Sequence, residues 1–489
     1  MAIRVRFFSL LLLVFSIGAG GGGPTHSAFF AALTGATAHQ LSSEGQSVLM
    51  KMINAGRLPD LQCANFSAYE LPLQNFYESM GRDLVWLHDA ELTSQARGLI
   101  ALLESADKKG LSPEDYDGPK WAARVQTLQR NSSESDLIRF DLALTISALR
   151  YASDVHLGRI DPHQVGVNYD VDAKRIDLAE FLKHNVVDAP DVTAAFQQLE
   201  PTFPEYLQTE KALQAYEEQA EDGEAKKTLT TRVNQLELAL ERWRWIPSGS
   251  AQPVIVVNVP EFQLRAYDED HHLVMTMRVL DGKANGKNDT PLFGGRMQSV
   301  IFRPYWNVPA SIERAELLPR IEGNPGYIAS HAYEVVDARG RVAGGGDVVS
   351  GLRSGRLAIR QRPGAHNALG LVKFNFPNEY DVYMHDTPAV KLFSKSRRDL
   401  THGCIRVQKP EELAEWVLRF NSGWDSDQIH AAMEGSRTVP VSLVHPFPVF
   451  IVYMTATADE NDEAHFFDDI YGLDEALRRA LAQRKACSG

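Results

Sequence analysis

The stretch "YMHDTPAVKLFSKSRRDLTHGCIRV", Tyr383 to Val407, carries the reading of this chain. It holds two histidines, and Cys404 is one of three cysteines in 489 residues. "YDVYMHDTP" reads as a strand, with Tyr383 and His385 on one face and Val382 and Met384 on the other. If residues 401 to 407 run near-extended, His402, Cys404 and Arg406 project on one side, where His385 meets them. One face then carries a thiol, two imidazoles and a guanidinium. A cysteine becomes a useful nucleophile when a base or a positive neighbour favours its thiolate. Gly403 lets the backbone turn so that amide N–H groups point at a developing oxyanion. Arg406 cannot lose its charge and suits a substrate carboxylate. Two blander readings stand beside this one. A lone free cysteine is most often a small buried hydrophobe. Alternatively, His385, His402 and Cys404 supply three ligands of a zinc ion.

Outside this stretch, composition describes an ordinary folded chain, 44% hydrophobic and 23% charged. Its length predicts two or three domains. A net charge of -13 argues against nucleic acid or an anionic membrane as the main partner. Arg4 and Arg6 precede the apolar run "FFSLLLLVFSIGAG", and small residues follow, the order of an export signal. The run falls short of the roughly 20 residues of a comfortable bilayer span. Residues 1–38 therefore read as a signal peptide, with cleavage near Ala19 or near Ala36–Ala38; an uncleaved anchor is the alternative and the one route to a membrane. The expected location is the periplasm. In an exported chain a retained thiol in a polar setting is a candidate nucleophile, since oxidising compartments attack free thiols. Cys63 and Cys487 lack such a setting and read as incidental, with a disulfide between them as the alternative.

Residues 39–247 read as helical. Leu99, Leu102 and Leu103 recur at helical spacing in a segment that closes on Gly110. Leu137, Phe140, Leu144 and Ala148 share a face behind a capping pair, Ser133 and Asp136. "LTTRVNQLELALERWRWIP" is a further helix, stopped by Pro247. From Pro253 the texture changes to short β-branched runs broken by Gly and Pro, predicting a mostly β domain over 248–455. Within it, the glycine-dense piece 321–362 reads as a mobile insertion. "KPEELAEWVLRFNSG" predicts a helix with Pro410 in its first turn and Leu413, Trp416, Val417 and Phe420 as its buried stripe. It begins too far past Cys404 for its dipole to act strongly on the thiol. Residues 456–489 form a tail with a final amphipathic helix.

The pattern of His385, a gap, then Thr401-His402-Gly403-Cys404-Ile405-Arg406 resembles the signature of the YkuD-type L,D-transpeptidases of the bacterial cell wall. "ERWRWIP" (241–247), "YWNVPASI" (305–312), "RQRPGAHNALGLVKFNFPN" (360–378) and "VYMHDTP" (382–388) resemble the large YcbB-like branch, and "FYESMGRDLVWL" and "LRYASDVHLGRIDP" its scaffold. The resemblance implies an α+β protein: a helical scaffold domain, then a mostly β catalytic domain with a capping insertion. That branch commonly carries a small peptidoglycan-binding module before the catalytic domain; the residues between Tyr216 and Leu229 leave no room for one. "RVLDGK" also departs from the glycine-lysine turn more usual after the strand valine.

By resemblance, the Cys404 thiolate attacks the third residue of a tetrapeptide stem and terminal D-alanine leaves. The amine of a diaminopimelate side chain on a second stem then takes the acyl group, giving a 3→3 cross-link. His385 is the implied general base, steadied through a backbone carbonyl near Asp386. His402 flanks the thiol, and its backbone joins Gly403 and Cys404 at the oxyanion hole. Arg406 orients the donor stem. Tyr383, Trp306 and Asn307 are candidate pocket-wall residues, against ordinary packing as the alternative. The implied partners are peptidoglycan stem peptides; no cofactor or metal is implied. The insertion would serve as a lid that keeps water from the thioester. Water as acceptor makes the same site an L,D-carboxypeptidase, a free D-amino acid an exchange enzyme, and a protein lysine an attachment enzyme. A non-catalytic wall-binding scaffold is the alternative from another class.

Overall fold

The computed structural model describes residues 40–88, 90–221, 226–247, 251–324, 326–343 and 346–485. The export signal read over residues 1–38 and the cysteine at 487 lie outside them. No helix among the described residues is long and apolar enough to cross a membrane.

The N-terminal helices fold because their caps and apolar faces agree. Ser133 and Asp136 form a reciprocal capping box at the start of the helix Glu134–Leu157. Thr93 caps Ser94–Glu104 by accepting from the Ala96 N–H, and Gly110 closes the following turn at φ +66°. One core gathers Leu99, Leu103, Leu137, Phe140, Leu144 and Ala148 with Phe76, Trp86 and Trp121. Asp141 is buried in it. Its carboxylate accepts from Tyr77 Oη at 2.7 Å and the Trp86 amide at 2.7 Å, while burial lifts its pKa to about 7. The helices Pro204–Glu221 and Lys226–Arg244 pack elsewhere. Their Leu213, Leu236, Leu240 and Trp243 join the core of the β region instead. The helical half thus divides between two cores, a partition that helical periodicity alone does not reveal.

The β region is a nine-stranded mixed sheet. Its strands are β1 (Val254–Asn258), β2 (Gln263–Tyr267), β3 (Leu273–Gly282), β4 (Gly294–Phe302), β8 (Val372–Asn375), β9 (Met384–His385), β10 (Asp399–Thr401), β11 (Ile405–Val407) and β12 (Val439–Val452). Three more, β5 (Trp306–Asn307), β6 (Tyr333–Asp337) and β7 (Leu357–Gln361), form a separate small sheet in the order β5-β7-β6. The main order is β10-β3-β11-β9-β8-β4-β12-β1-β2, and β2 pairs again with β3, so the ladder closes on itself. β9 and β11 run parallel, which sets His385 directly opposite Arg406. On its other side β9 is antiparallel to β8, with His385 opposite Lys373.

Two expectations are corrected. The insertion has its own core of Val308, Leu317, Leu318, Ile321, Val335, Leu352 and Ile359, and its sheet begins at Trp306, ahead of the glycine-dense piece 321–362. Glycine density marked its turns, while apolar contacts set its extent. Phe420 lies beyond the end of the helix Pro410–Leu418 and is 49% exposed, so the stripe there consists of Leu413, Val417 and partly buried Trp416.

Helices and sheet are tied by polar links as well as by the shared core. Asn168 joins β4 backbone to backbone, accepting from the Gly294 amide at 2.7 Å. The tail helix Leu473–Lys485 is clasped at both ends, by Arg242–Asp474 at 2.6 Å and Arg484–Asp154 at 2.6 Å.

Candidate active site

Cys404 is a free, half-buried thiol in the bend between β10 and β11. Gly403 adopts φ +112°, a conformation that L side chains rarely take, and this turns the chain back on itself. The segment is therefore not extended through residue 403. Thr401 Oγ1 donates to the Cys404 carbonyl at 2.7 Å and accepts from the Gly403 amide at 3.1 Å. The Gly403 N–H is thus spent inside the loop. The N–H groups of His402 and Cys404 have no such partner among the described residues.

The loop is braced from behind by residues the sequence reading did not single out. Thr290 Oγ1 donates to the Gly403 carbonyl at 2.9 Å and accepts from the Gly282 amide at 2.9 Å. Tyr471 Oη donates to the Gly282 carbonyl at 2.8 Å and accepts from the Thr290 amide at 3.1 Å. A Cβ at position 282 would sit 1.9 Å from the Asn288 carbonyl oxygen, so this approach requires glycine. The one sequence signal was "LDGK", noted only as a departure.

His385 is buried at 4% exposure. Its Nδ1 lies 2.5 Å from the Asp386 carbonyl oxygen, which can only accept. Nδ1 therefore carries the proton, and Nε2 is left as a lone-pair base. Asp386 is itself anchored, its carboxylate accepting from the amides of Leu371 and Thr387 at 2.8 and 2.6 Å. Burial first, then Arg406, then Lys373 push the His385 pKa down to about 3. The imidazole is neutral throughout the working range. Burial raises the Cys404 thiol, while its contacts with Tyr383 and the charges of Lys373 and Arg406 pull the other way.

The remaining candidate residues separate. Tyr383 lies beside His385 with ring centroids 5.8 Å apart, and its hydroxyl interacts with the Cys404 sulfur and with Trp306. Arg406 is half-buried, with Nε lacking any hydrogen bond among the described residues. Trp306 is half-buried between the site and the insertion, 6.5 Å from the Tyr333 ring. Asn307 is exposed on β5 opposite Arg360. His402 turns outward, its Nε2 2.6 Å from Glu316 Oε1 of the insertion. It does not share the thiol's face as an extended segment would require, and among the described residues no three His, Cys, Asp or Glu side chains converge as metal ligands. Cys63 is not incidental, being disulfide-bonded.

The chain matches known proteins in both of its halves. A family model described as a scaffold domain matches residues 72–213, and one described as the YkuD L,D-transpeptidase catalytic domain matches residues 252–442. A curated Haemophilus influenzae protein named "Putative L,D-transpeptidase" is 32% identical over 249 residues, 51% of this chain and 50% of that protein. The chain spans about half the length of the curated relative it matches. It carries a scaffold domain followed by a catalytic domain of the YkuD L,D-transpeptidase family.

Proposed function

We propose that the protein is an exported peptidoglycan L,D-transpeptidase that forms 3→3 cross-links through a thioester on Cys404. One observation carries the chemistry: Lys373 and Arg406 act on both the free thiol of Cys404 and the buried, neutral imidazole of His385, whose Nδ1–H is fixed on the Asp386 carbonyl. As sulfur attacks the carbonyl of the third stem residue, the thiol proton passes to His385 Nε2. The C–S bond forms, and the carbonyl oxygen takes negative charge beside the Cys404 amide. The intermediate collapses, the C–N bond to D-alanine breaks, and His385 returns its proton to the leaving amine. A diaminopimelate amine of a second stem then attacks the thioester by the reverse route, freeing the thiol. Arg406 and Tyr383 line the donor side of the pocket, and Trp306 borders it beneath the insertion. The insertion acts as a lid that holds water off the thioester. Export is supported by the N-terminal apolar run and by a disulfide at Cys63, since disulfides persist in oxidising compartments.

The test is incubation with tetrapeptide muropeptides followed by mass spectrometry. Tripeptide–tetrapeptide dimers, with loss of D-alanine, are expected. Monomeric tripeptides alone would make the protein a carboxypeptidase. Cys404→Ala abolishes both products, and a carbapenem adds its mass to Cys404 only. Turnover persisting in Cys404→Ala would overturn the assignment.

A further inference from the structure

Lys373 lies outside the Thr401–Arg406 motif, yet the sheet delivers it to the thiol. It sits on β8 between Ile301 of β4 and His385 of β9. His385 in turn faces Arg406 of β11. Residues paired across a ladder share a face of the sheet, so Lys373, His385 and Arg406 form one row, with an ammonium and a guanidinium flanking the imidazole. Tyr383, two residues before His385, belongs to the same face. The Lys373 Nζ rests 3.7 Å from the centroid of the Tyr383 ring, within cation–π range. The hydroxyl of that ring interacts with the Cys404 sulfur. Lysine carries a compact charge on a flexible stem, and here the stem is held by strand pairing and the head by an aromatic face.

A thiol–imidazole couple ordinarily reaches its reactive state as a thiolate beside an imidazolium. That pairing is disfavoured here, because burial and two cations keep His385 neutral. The charge that steadies the thiolate must come from another group. We propose that Lys373 supplies it, its ammonium pinned on the Tyr383 ring as the positioning charge that holds the Cys404 sulfur ready for attack. The inference rests on reading Cys404 as the nucleophile. The S–H bond breaks, the sulfur keeps the electron pair, and the proton leaves through His385 Nε2 to water or to the departing amine. The charged and titratable groups that act on Cys404 are Lys373 from β8, Tyr383 just before β9, and Arg406 from β11, while the Asp381 carboxylate acts in turn on Lys373 and Tyr383. Asp381, before β9, adds its backbone carbonyl at 3.8 Å from Sγ. Of the two cations, Lys373 acts on the thiol more strongly than Arg406. Burial lowers the pKa of both cations, and the charge of Cys404 pulls each of them back up.

The test is the rate of Cys404 alkylation by iodoacetamide between pH 5 and 10, located by peptide mass spectrometry on the folded protein. It needs no stem peptide, so it stays readable even if the protein does not cross-link peptidoglycan. Lys373→Met and Lys373→Gln are expected to raise the midpoint of the rate–pH profile, slowing alkylation at neutral pH about tenfold per pH unit of midpoint shift. Lys373→Arg restores the midpoint toward that of the parent, which a merely structural role for the lysine stem does not predict. Profiles of the Met and Gln variants that superimpose on the parent's, with circular dichroism showing both folded, would overturn the proposal.

Discussion

His402 Nε2 stands 2.6 Å from Oε1 of Glu316, joining the loop of Cys404 to the subdomain built on β5, β6 and β7. The two side chains are 34% and 40% exposed, so the pair is a surface latch worth about 0–1 kcal/mol. Glu316→Ala is expected to leave the melting temperature nearly unchanged. It should raise the yield of hydrolysed over cross-linked product by up to about fivefold, the equivalent of 1 kcal/mol. Muropeptide mass spectrometry measures the ratio, and an unchanged ratio would show that the latch plays no part in keeping water from the thioester.

The depressed His385 sets an acid limit on stability. Its folded pKa is about 3, below the ordinary value near 6.5. Between those values the unfolded chain binds a proton that the folded chain does not. The stabilisation is therefore complete above pH 6.5 and is lost as pH falls through that window, by at most about 1.4 kcal/mol per pH unit. Urea unfolding from pH 7.5 to 4 should show this slope, and His385→Asn should flatten it. An equal slope in the variant places the acid sensitivity elsewhere.

Asp281 behaves in the opposite sense. Both of its carboxylate oxygens are buried without a hydrogen bond among the described residues, and burial raises its pKa well above the usual carboxylate range. The folded chain holds a proton there that the unfolded chain releases above about pH 4. This contribution is full below that pH and fades as pH rises toward the folded value. Asp281→Asn is expected to raise the melting temperature at pH 8 and to change it little at pH 4. A variant less stable at pH 8 would show that the carboxylate has a partner in solution.

Thr290 bridges Gly282 and Gly403 through one hydroxyl. Thr290→Val keeps the shape and removes both bonds, leaving a buried amide and a buried carbonyl at a cost of about 1–3 kcal/mol each. Unfolding experiments should register that loss, and alkylation of Cys404 should change because its loop loosens. Unaltered reactivity would mean that Thr401 alone sets the loop.

Local signals in the sequence reached a long way. The capping box at Ser133, the stop at Gly110, the helix opened by Pro410 and the change of texture at Pro253 each depend on neighbours a few residues apart. Such signals act before tertiary contacts form. The Thr401–Arg406 string with His385 likewise named a thiol and an imidazole that the pairing of β9 with β11 carries on neighbouring strands. The outward turn of His402 was not legible, because Gly403 at φ +112° breaks the alternation on which a strand reading depends. The reach of the insertion back to Trp306 was set by apolar contacts rather than by its glycines.

What the sequence determined by itself, then, is the order of helical and β regions and the candidate thiol and imidazole. Tertiary structure alone decided which groups surround them. Lys373 meets the site through the register of β8 on β9, and Arg406 through the parallel pairing of β9 with β11. Thr290, Glu316 and Tyr471 arrive from segments distant in sequence. Strand register and long-range docking follow from the packing of the whole sheet, and no local run of residues encodes them.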